Sequence, residues 1–204
     1  MNLEKLKQAE ASFFATYPEG FADPGMEKIL KRHNMSKMTE YAQQSFSPDC
    51  YSHVEQTSAN MVKAISRSSM VSMFEKPKFR DFVARLDANQ KAYMVDSMIA
   101  FLHHDQQAGF EALVDLLRTE KLAKWSLLTI IPAYYAPTKE VFVKPTTAKG
   151  IIAEFEVPKL VYKPQPTWEF YTGYRTMINK YKKKVDKRLA PSNAAFSGFL
   201  MMSL

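Results

Sequence analysis

The chain has 204 residues and a formal net charge of +7, with 46% hydrophobic and 24% charged residues. This length fits one domain with a sizeable core, and the composition excludes a wholly disordered protein. The single cysteine, Cys50, excludes a framework of internal disulfides and any zinc site made of cysteines alone. The start of the chain lacks the apolar stretch of a signal peptide, and the longest apolar stretch, 127–136, is too short to cross a bilayer. We therefore expect a soluble, cytoplasmic protein with no membrane insertion.

Apolar residues recur at helical spacing through residues 1–130, and several of these segments begin with helix-capping signals. Asp23 and Ser47 each stand directly before a proline, and Asp87 with Gln90 has the pattern of a capping box. Short connections predict that successive helices pack as pairs. The clearest predicted buried stripes consist of Phe79, Phe82, Val83 and Leu86, of Val95, Met98, Ile99 and Leu102, and of Phe110, Leu113, Val114 and Leu117.

The sequence changes character over residues 131–166, where six of the eleven prolines lie. Residues 139–144 alternate in polarity and fit an extended segment, whereas residues 147–155 fit a short helix capped by Thr146 or Thr147. The stretch contains too few apolar residues for a core of its own. We expect a proline-braced connector that lies on the helical body, within a single domain of residues 1–189.

Two blocks in and after this connector, residues 142–146 and 162–171, follow the patterns F-x-K-P-T and Y-x-P-x-P-x-W-x-x-Y. Together they resemble a pattern of an uncharacterised bacterial protein family. The resemblance implies a bacterial origin and no particular chemistry. In physical terms, Pro166 suits the start of a helix, and Trp168 and Tyr171 can anchor that helix to the body. The alternative is a ligand pocket around Lys144 and Trp168.

The string His103-His104-Asp105 follows an apolar run, and with His53 upstream it resembles the ligand set of HD-type metal phosphohydrolases. That resemblance implies neutral imidazoles and a carboxylate that converge on one cation. The other interpretation needs no metal. Asp105 then caps the following helix, and the histidines lie at the end of the preceding helix, where its partial negative charge favours them. We expect no cofactor, with the metal-dependent phosphohydrolase as an alternative.

Residues 175–188 contain seven basic residues and one acidic residue, and we predict that they continue one amphipathic helix. Lysines outnumber arginines there, which favours neutralisation of a phosphate backbone over the reading of bases. The alternatives are a solvated lysine face and a contact with an anionic membrane or an acidic protein. The residues that we predict to bind nucleic acid are Arg175, Lys180, Lys183, Lys184 and Lys187.

Residues 190–204 show no clear helical periodicity and end in an apolar run. We expect a flexible tail, with docking into a groove of this chain or of a partner as the alternative. The sequence thus predicts an all-α, single-domain bundle of roughly seven to nine helices, with a proline-rich connector and a C-terminal basic amphipathic helix. The predicted function is a non-catalytic cytoplasmic binding protein with nucleic acid as its partner. A scaffold or assembly protein that forms homo-oligomers through the apolar tail is a further alternative.

Overall fold

The computed structural model describes residues 1–204, except for the side chain of Tyr51, and its regular secondary structure is helical. This confirms the predicted all-α bundle. The described residues form eleven α-helices, more than the seven to nine that the sequence predicts. One reason is Asn34, whose left-handed conformation (φ 46°, ψ 45°) ends one helix and starts the next. The helices are α1 Leu3–Thr16, α2 Glu27–His33, α3 Met35–Ser45, α4 Val54–Arg67, α5 Glu75–Arg85, α6 Ala88–His103, α7 Gln106–Arg118, α8 Trp125–Tyr135, α9 Pro145–Glu154, α10 Trp168–Tyr181 and α11 Asn193–Met202. Short 3₁₀ helices cover Gly20–Ala22, Pro24–Met26, Pro48–Ser52, Lys182–Lys184 and Lys187–Leu189.

Helix α8 lies at the centre of the bundle, because residues 125–134 are all buried. An α-helix that is apolar on every side needs neighbours around it, and α3, α4, α6 and α7 contact α8. The Thr129 hydroxyl donates to the carbonyl of Trp125 (2.6 Å) and accepts from the amide of Val143 (3.0 Å). The central helix therefore also holds the connector. Each helix of the described chain is too short or too polar to cross a bilayer.

Helices α6 and α7 form a closely packed antiparallel pair. The predicted capping box of Asp87 and Gln90 starts α6, and the Asp105 carboxylate caps α7 by accepting from the Ala108 amide at 3.0 Å. At Gly109, an added Cβ would lie 2.3 Å from the Phe101 backbone nitrogen and 2.5 Å from the Ser97 carbonyl oxygen. The two backbones can approach this closely because Gly109 has no side chain.

The connector, residues 131–166, is partly helical and lies against the body. Helix α8 continues through Pro132, and α9 begins at Pro145, so neither Thr146 nor Thr147 caps it. A proline suits the first helical position, because that amide has no partner within the helix. Between these helices Val143 is fully buried. Further on, the indole nitrogen of Trp125 donates to the carbonyl of Lys163 at 2.8 Å.

The prediction of one continuous basic helix is wrong, because α10 ends at Tyr181. The chain continues as a 3₁₀ helix over Lys182–Lys184, becomes extended at Val185 and forms another 3₁₀ helix over Lys187–Leu189. The Asp186 amide donates to the Glu10 carboxylate on α1 at 2.6 Å, and the Asp186 side chain caps the second 3₁₀ helix. Contacts with α1 thus stabilise a turn where helical spacing predicts continuation.

The flexible tail expected for residues 190–204 differs from the structure, in which α11 is packed on the body. Ser192 caps this helix by accepting from the Ala195 amide at 3.0 Å. Phe196, Phe199 and Leu200 are fully buried, and the Phe199 ring meets Phe13 of α1 edge-on at 5.4 Å. These three residues stand at i, i+3 and i+4, the spacing of one helix face. These three residues therefore complete the core of their own chain, whereas Met201, Met202 and Leu204 at the end of the tail are exposed.

Candidate anion-binding groove

Four of the five residues predicted to bind nucleic acid line one open groove of about 570 Å³ on the C-terminal half of α10. The fifth, Lys187, belongs to the last 3₁₀ helix and is not among the lining residues. The groove is lined by Arg175, Thr176, Asn179, Lys180, Lys183 and Lys184. The structure thus brings most of the predicted basic residues together, although they do not share one helix.

Three lysines of the groove, Lys180, Lys183 and Lys184, are exposed to solvent. Among the described residues none of the three takes part in an ion pair. They lie at the C-terminal end of α10, where the partial negative charge of the helix favours cations. The groove therefore presents three ammonium groups to solvent without a compensating carboxylate.

Lys182 lies within the same basic run but has a structural role. Its ammonium group donates to the carbonyl of Thr138 and to the side-chain oxygen of Asn193, the latter at 2.6 Å. Burial and, to a smaller extent, the charge of Lys183 lower the pKa of Lys182. This lysine therefore holds the connector against the C-terminal segment, and it does not line the groove.

Arg175, the deepest basic residue of the groove, is ion-paired. Its side chain is 20% exposed, and Nη1 lies 2.8 Å from each carboxylate oxygen of Glu140. The guanidinium also lies 5.6 Å from the ring centre of Trp168 and 5.3 Å from that of Tyr171. Glu140 neutralises the charge of Arg175, so Arg175 forms part of the groove wall. Contrary to the prediction, this arginine is not freely available to bind a phosphate.

Glu140, which pairs with Arg175 behind the candidate groove, is a residue that the sequence analysis missed. Its side chain is 10% exposed, and Tyr171 donates its hydroxyl to Oε2 at 2.6 Å. Burial, followed by the Glu140 charge, raises the pKa of Tyr171 well above its ordinary value. The alternation of residues 139–144 suggested an extended segment, but the Glu140 amide donates to the Ala136 carbonyl at 2.8 Å. Glu140 thus directly follows the turn of residues 137–139 after α8, and its side chain points inward.

Side-chain amides fix the groove to the connector and to α11. Asn179 donates to the carbonyl of Lys139 at 2.8 Å, and the buried Asn193 donates to the carbonyl of Glu140 at 2.9 Å. Asn193 also donates to the side-chain oxygen of Asn179 at 3.2 Å. These hydrogen bonds hold α10, which carries most of the groove residues, against the connector and α11.

The residues of the alternative metal site have other partners. His103 Nε2 lies 2.8 Å from the carbonyl oxygen of Phe46, and Asp105 caps α7 as the metal-free interpretation expected. His104 is exposed at the end of α6, and His53 is exposed directly before α4. In the described part of the chain, no three His, Cys, Asp or Glu side chains are arranged to hold a metal. This geometry gives the metal-dependent phosphohydrolase no support.

The apolar core offers little room for a ligand. A cavity beside α8 measures about 10 Å³, about the space of one water molecule, and is lined by apolar side chains. Lys144 and Trp168, the pair considered for a ligand pocket, line neither this cavity nor the groove. Trp168 instead packs against Phe101 and Phe110, at ring-centre distances of 6.3 and 5.6 Å.

Comparison of the chain with protein-family models, with curated proteins and with solved structures finds no match in any of the three.

Proposed function

We propose that the protein is a non-catalytic binding protein whose groove contacts the phosphate backbone of a nucleic acid. The observation that carries the proposal is that Lys180, Lys183 and Lys184, exposed and without acidic partners, line one groove. Exposed like charges repel one another and are costly to bring together, so a cluster of this kind favours an anionic ligand.

The chemistry of the groove favours backbone contact over the reading of bases. Lysine ammonium groups act as point charges, and the one arginine of the groove is already bound to Glu140. The described lining residues include no aromatic side chain, so base stacking does not contribute there. Binding should therefore depend on charge density and salt and be nearly independent of sequence.

Fluorescence-anisotropy titration of labelled duplex and single-stranded oligonucleotides at several salt concentrations tests the proposal. Each phosphate contact on duplex DNA contributes about −0.9 to the slope of log K against log salt, so three lysines predict a slope of about −3. Replacing Lys180, Lys183 and Lys184 together by Gln should remove most of that slope. Lys187→Gln alone should change the slope little, because Lys187 lies outside the groove.

The matched control replaces three other exposed lysines, Lys28, Lys37 and Lys144, by Gln. This control changes the net charge by the same amount and should leave the slope unaltered. Equal loss of binding in both triple variants would show that diffuse net charge, and not the groove, attracts the oligonucleotide. No binding at low salt, where phosphate contacts are strongest, would end the nucleic-acid proposal.

A further inference from the structure

The three most exposed large apolar side chains of the described residues are Met73 and Phe74, each 74% exposed, and Val161, 73% exposed. Met73 and Phe74 are adjacent in the loop before α5, and Val161 lies in the connector before α10. Single exposed apolar residues are common, but these three project from two separate loops. Where the two loops attach to the bundle decides whether they form one surface.

Both loops are attached to the N-terminal end of α8. Beside Phe74, Glu75 accepts a hydrogen bond from the Ser126 hydroxyl at 2.5 Å. Near Val161, the carbonyl of Lys163 accepts from the indole of Trp125 at 2.8 Å. Because Trp125 and Ser126 are the first two residues of α8, both loops are anchored at the same end of this helix.

This end is distinct from the anion-binding groove. Phe170, in the first turn of α10, packs on Trp125 with 5.1 Å between ring centres. Helix α10 has 14 residues and is therefore about 20 Å long, and the groove lies on its C-terminal half. Variants at one surface can thus serve as controls for the other.

Lysines stand close to the apolar residues along the chain. Lys76, half-exposed, and Lys78, exposed, lie in the first turns of α5. The exposed Lys124 directly precedes Trp125, and the exposed Lys163 is the residue whose carbonyl binds the Trp125 indole. In the described chain none of the four forms an ion pair, and the nearby Glu75 carboxylate is bound to Ser126. Cations at a helix N-terminus oppose the helix dipole, so Lys76 and Lys78 are not explained by the stability of α5.

We propose that this end of the bundle docks on an anionic lipid membrane. We call it the docking face, and it consists of Met73, Phe74, Val161, Lys76, Lys78, Lys124 and Lys163. Apolar side chains at loop tips can enter the headgroup region one by one, while lysines close behind them attract anionic lipids. A folded protein partner would instead require a continuous complementary surface, whereas these tips stand on separate loops.

Sedimentation of the full chain with lipid vesicles tests the docking face. Binding is expected with phosphatidylcholine vesicles that contain about one-quarter phosphatidylserine and not with phosphatidylcholine alone. Met73→Ser with Phe74→Ser should weaken binding by at least about tenfold, and Lys78→Gln or Lys124→Gln by about fivefold each. The Met73 and Phe74 side chains are each 74% exposed and contribute little to the core, so the fold should persist.

The control variant is Leu30→Ser, which changes an apolar side chain that is 44% exposed on α2. Leu30→Ser should bind vesicles as the unaltered protein does. No sedimentation with anionic vesicles at low salt would overturn the proposal. The proposal would equally fail if binding persisted in the Met73 and Phe74 variant but disappeared when the groove lysines were changed to Gln. Binding to polyglutamate without binding to vesicles would assign the face to an acidic protein and not to a membrane.

Discussion

At the scale of single residues, the Glu140 carboxylate organises the wall of the groove. It accepts from Tyr171, Arg175 and Gln106, and in the described chain no buried side-chain nitrogen or oxygen lacks a partner. A buried ion pair of this kind adds little net stability, but the removal of one member leaves the other without a partner. The network therefore specifies the position of α10 relative to the connector.

Two buried tyrosines of α10, Tyr171 and Tyr174, make stability sensitive to alkaline pH. Burial raises the pKa of both, and the Glu140 charge adds to the effect at Tyr171. Above about pH 10 the unfolded chain releases these protons while the folded protein retains them. The free energy of unfolding should then fall as pH rises, by up to about 1.4 kcal/mol per pH unit for each tyrosine.

Urea unfolding of Tyr171→Phe and Tyr174→Phe checks this expectation. Each variant removes one titrating group, so its stability should decline less steeply above about pH 10. At neutral pH, Tyr171→Phe should cost about 1.5–3 kcal/mol, because it loses a hydrogen bond to a carboxylate. Tyr174→Phe should cost about 0.5–1.5 kcal/mol, since its partner is the uncharged Ser197. An unchanged alkaline slope in both variants would contradict the role of burial.

At the scale of helices, the contact between α6 and α7 depends on Gly109. Gly109→Ala places a Cβ against backbone atoms of Ser97 and Phe101, which cannot move without shifting α6. The overpacking should destabilise the protein by about 1–3 kcal/mol, more than the gain in helix propensity. Gly198→Ala in α11 is the matched control, because its Cβ would meet only Phe21 at 3.9 Å. Gly198→Ala should therefore keep the gain in helix propensity and stabilise the protein by up to about 1 kcal/mol. Thermal unfolding of both variants measures the contrast, and equal melting temperatures would exclude a tight α6–α7 contact.

Capping residues and apolar spacing in the sequence correctly predicted the helices whose ends and buried faces depend on neighbouring residues. The capping box at Asp87 and the cap at Asp105 form as expected, and the stripe from Phe110 to Leu117 is buried. The course of the chain after α10 could not be predicted in this way, because the Asp186 amide binds Glu10, which is distant in sequence. The groove shows the same division. Charge spacing identified its lysines, whereas the ion pair that occupies Arg175 depends on a turn in the connector.

At the scale of the whole molecule, α11 packs the C-terminal segment against α1, the connector and α10. Phe199 packs on Phe13 of α1, and Asn193 binds both the connector and α10. The backbone N–H of Asn193 also donates to the carbonyl of Pro137 at 2.8 Å. The sequence predicts a flexible segment here because the helical spacing of Phe196, Phe199 and Leu200 covers little more than one turn. A helix with so short an apolar pattern is stable only when it packs against the rest of the protein.

Removal of α11 distinguishes this role from that of an oligomerisation tail. Phe196, Phe199 and Leu200 are fully buried, and burial stabilises each by about 1.5–3 kcal/mol, so together they contribute roughly 5–9 kcal/mol. A protein of this size is stable by only about 5–15 kcal/mol. We therefore expect a chain that ends at Ala190 to unfold without cooperativity and to aggregate in light scattering. Phe199→Ala in the full chain should lose about 3–5 kcal/mol and remain folded. A tail that served assembly would give the opposite result, with an oligomeric full chain and a shortened chain that is monomeric and equally stable.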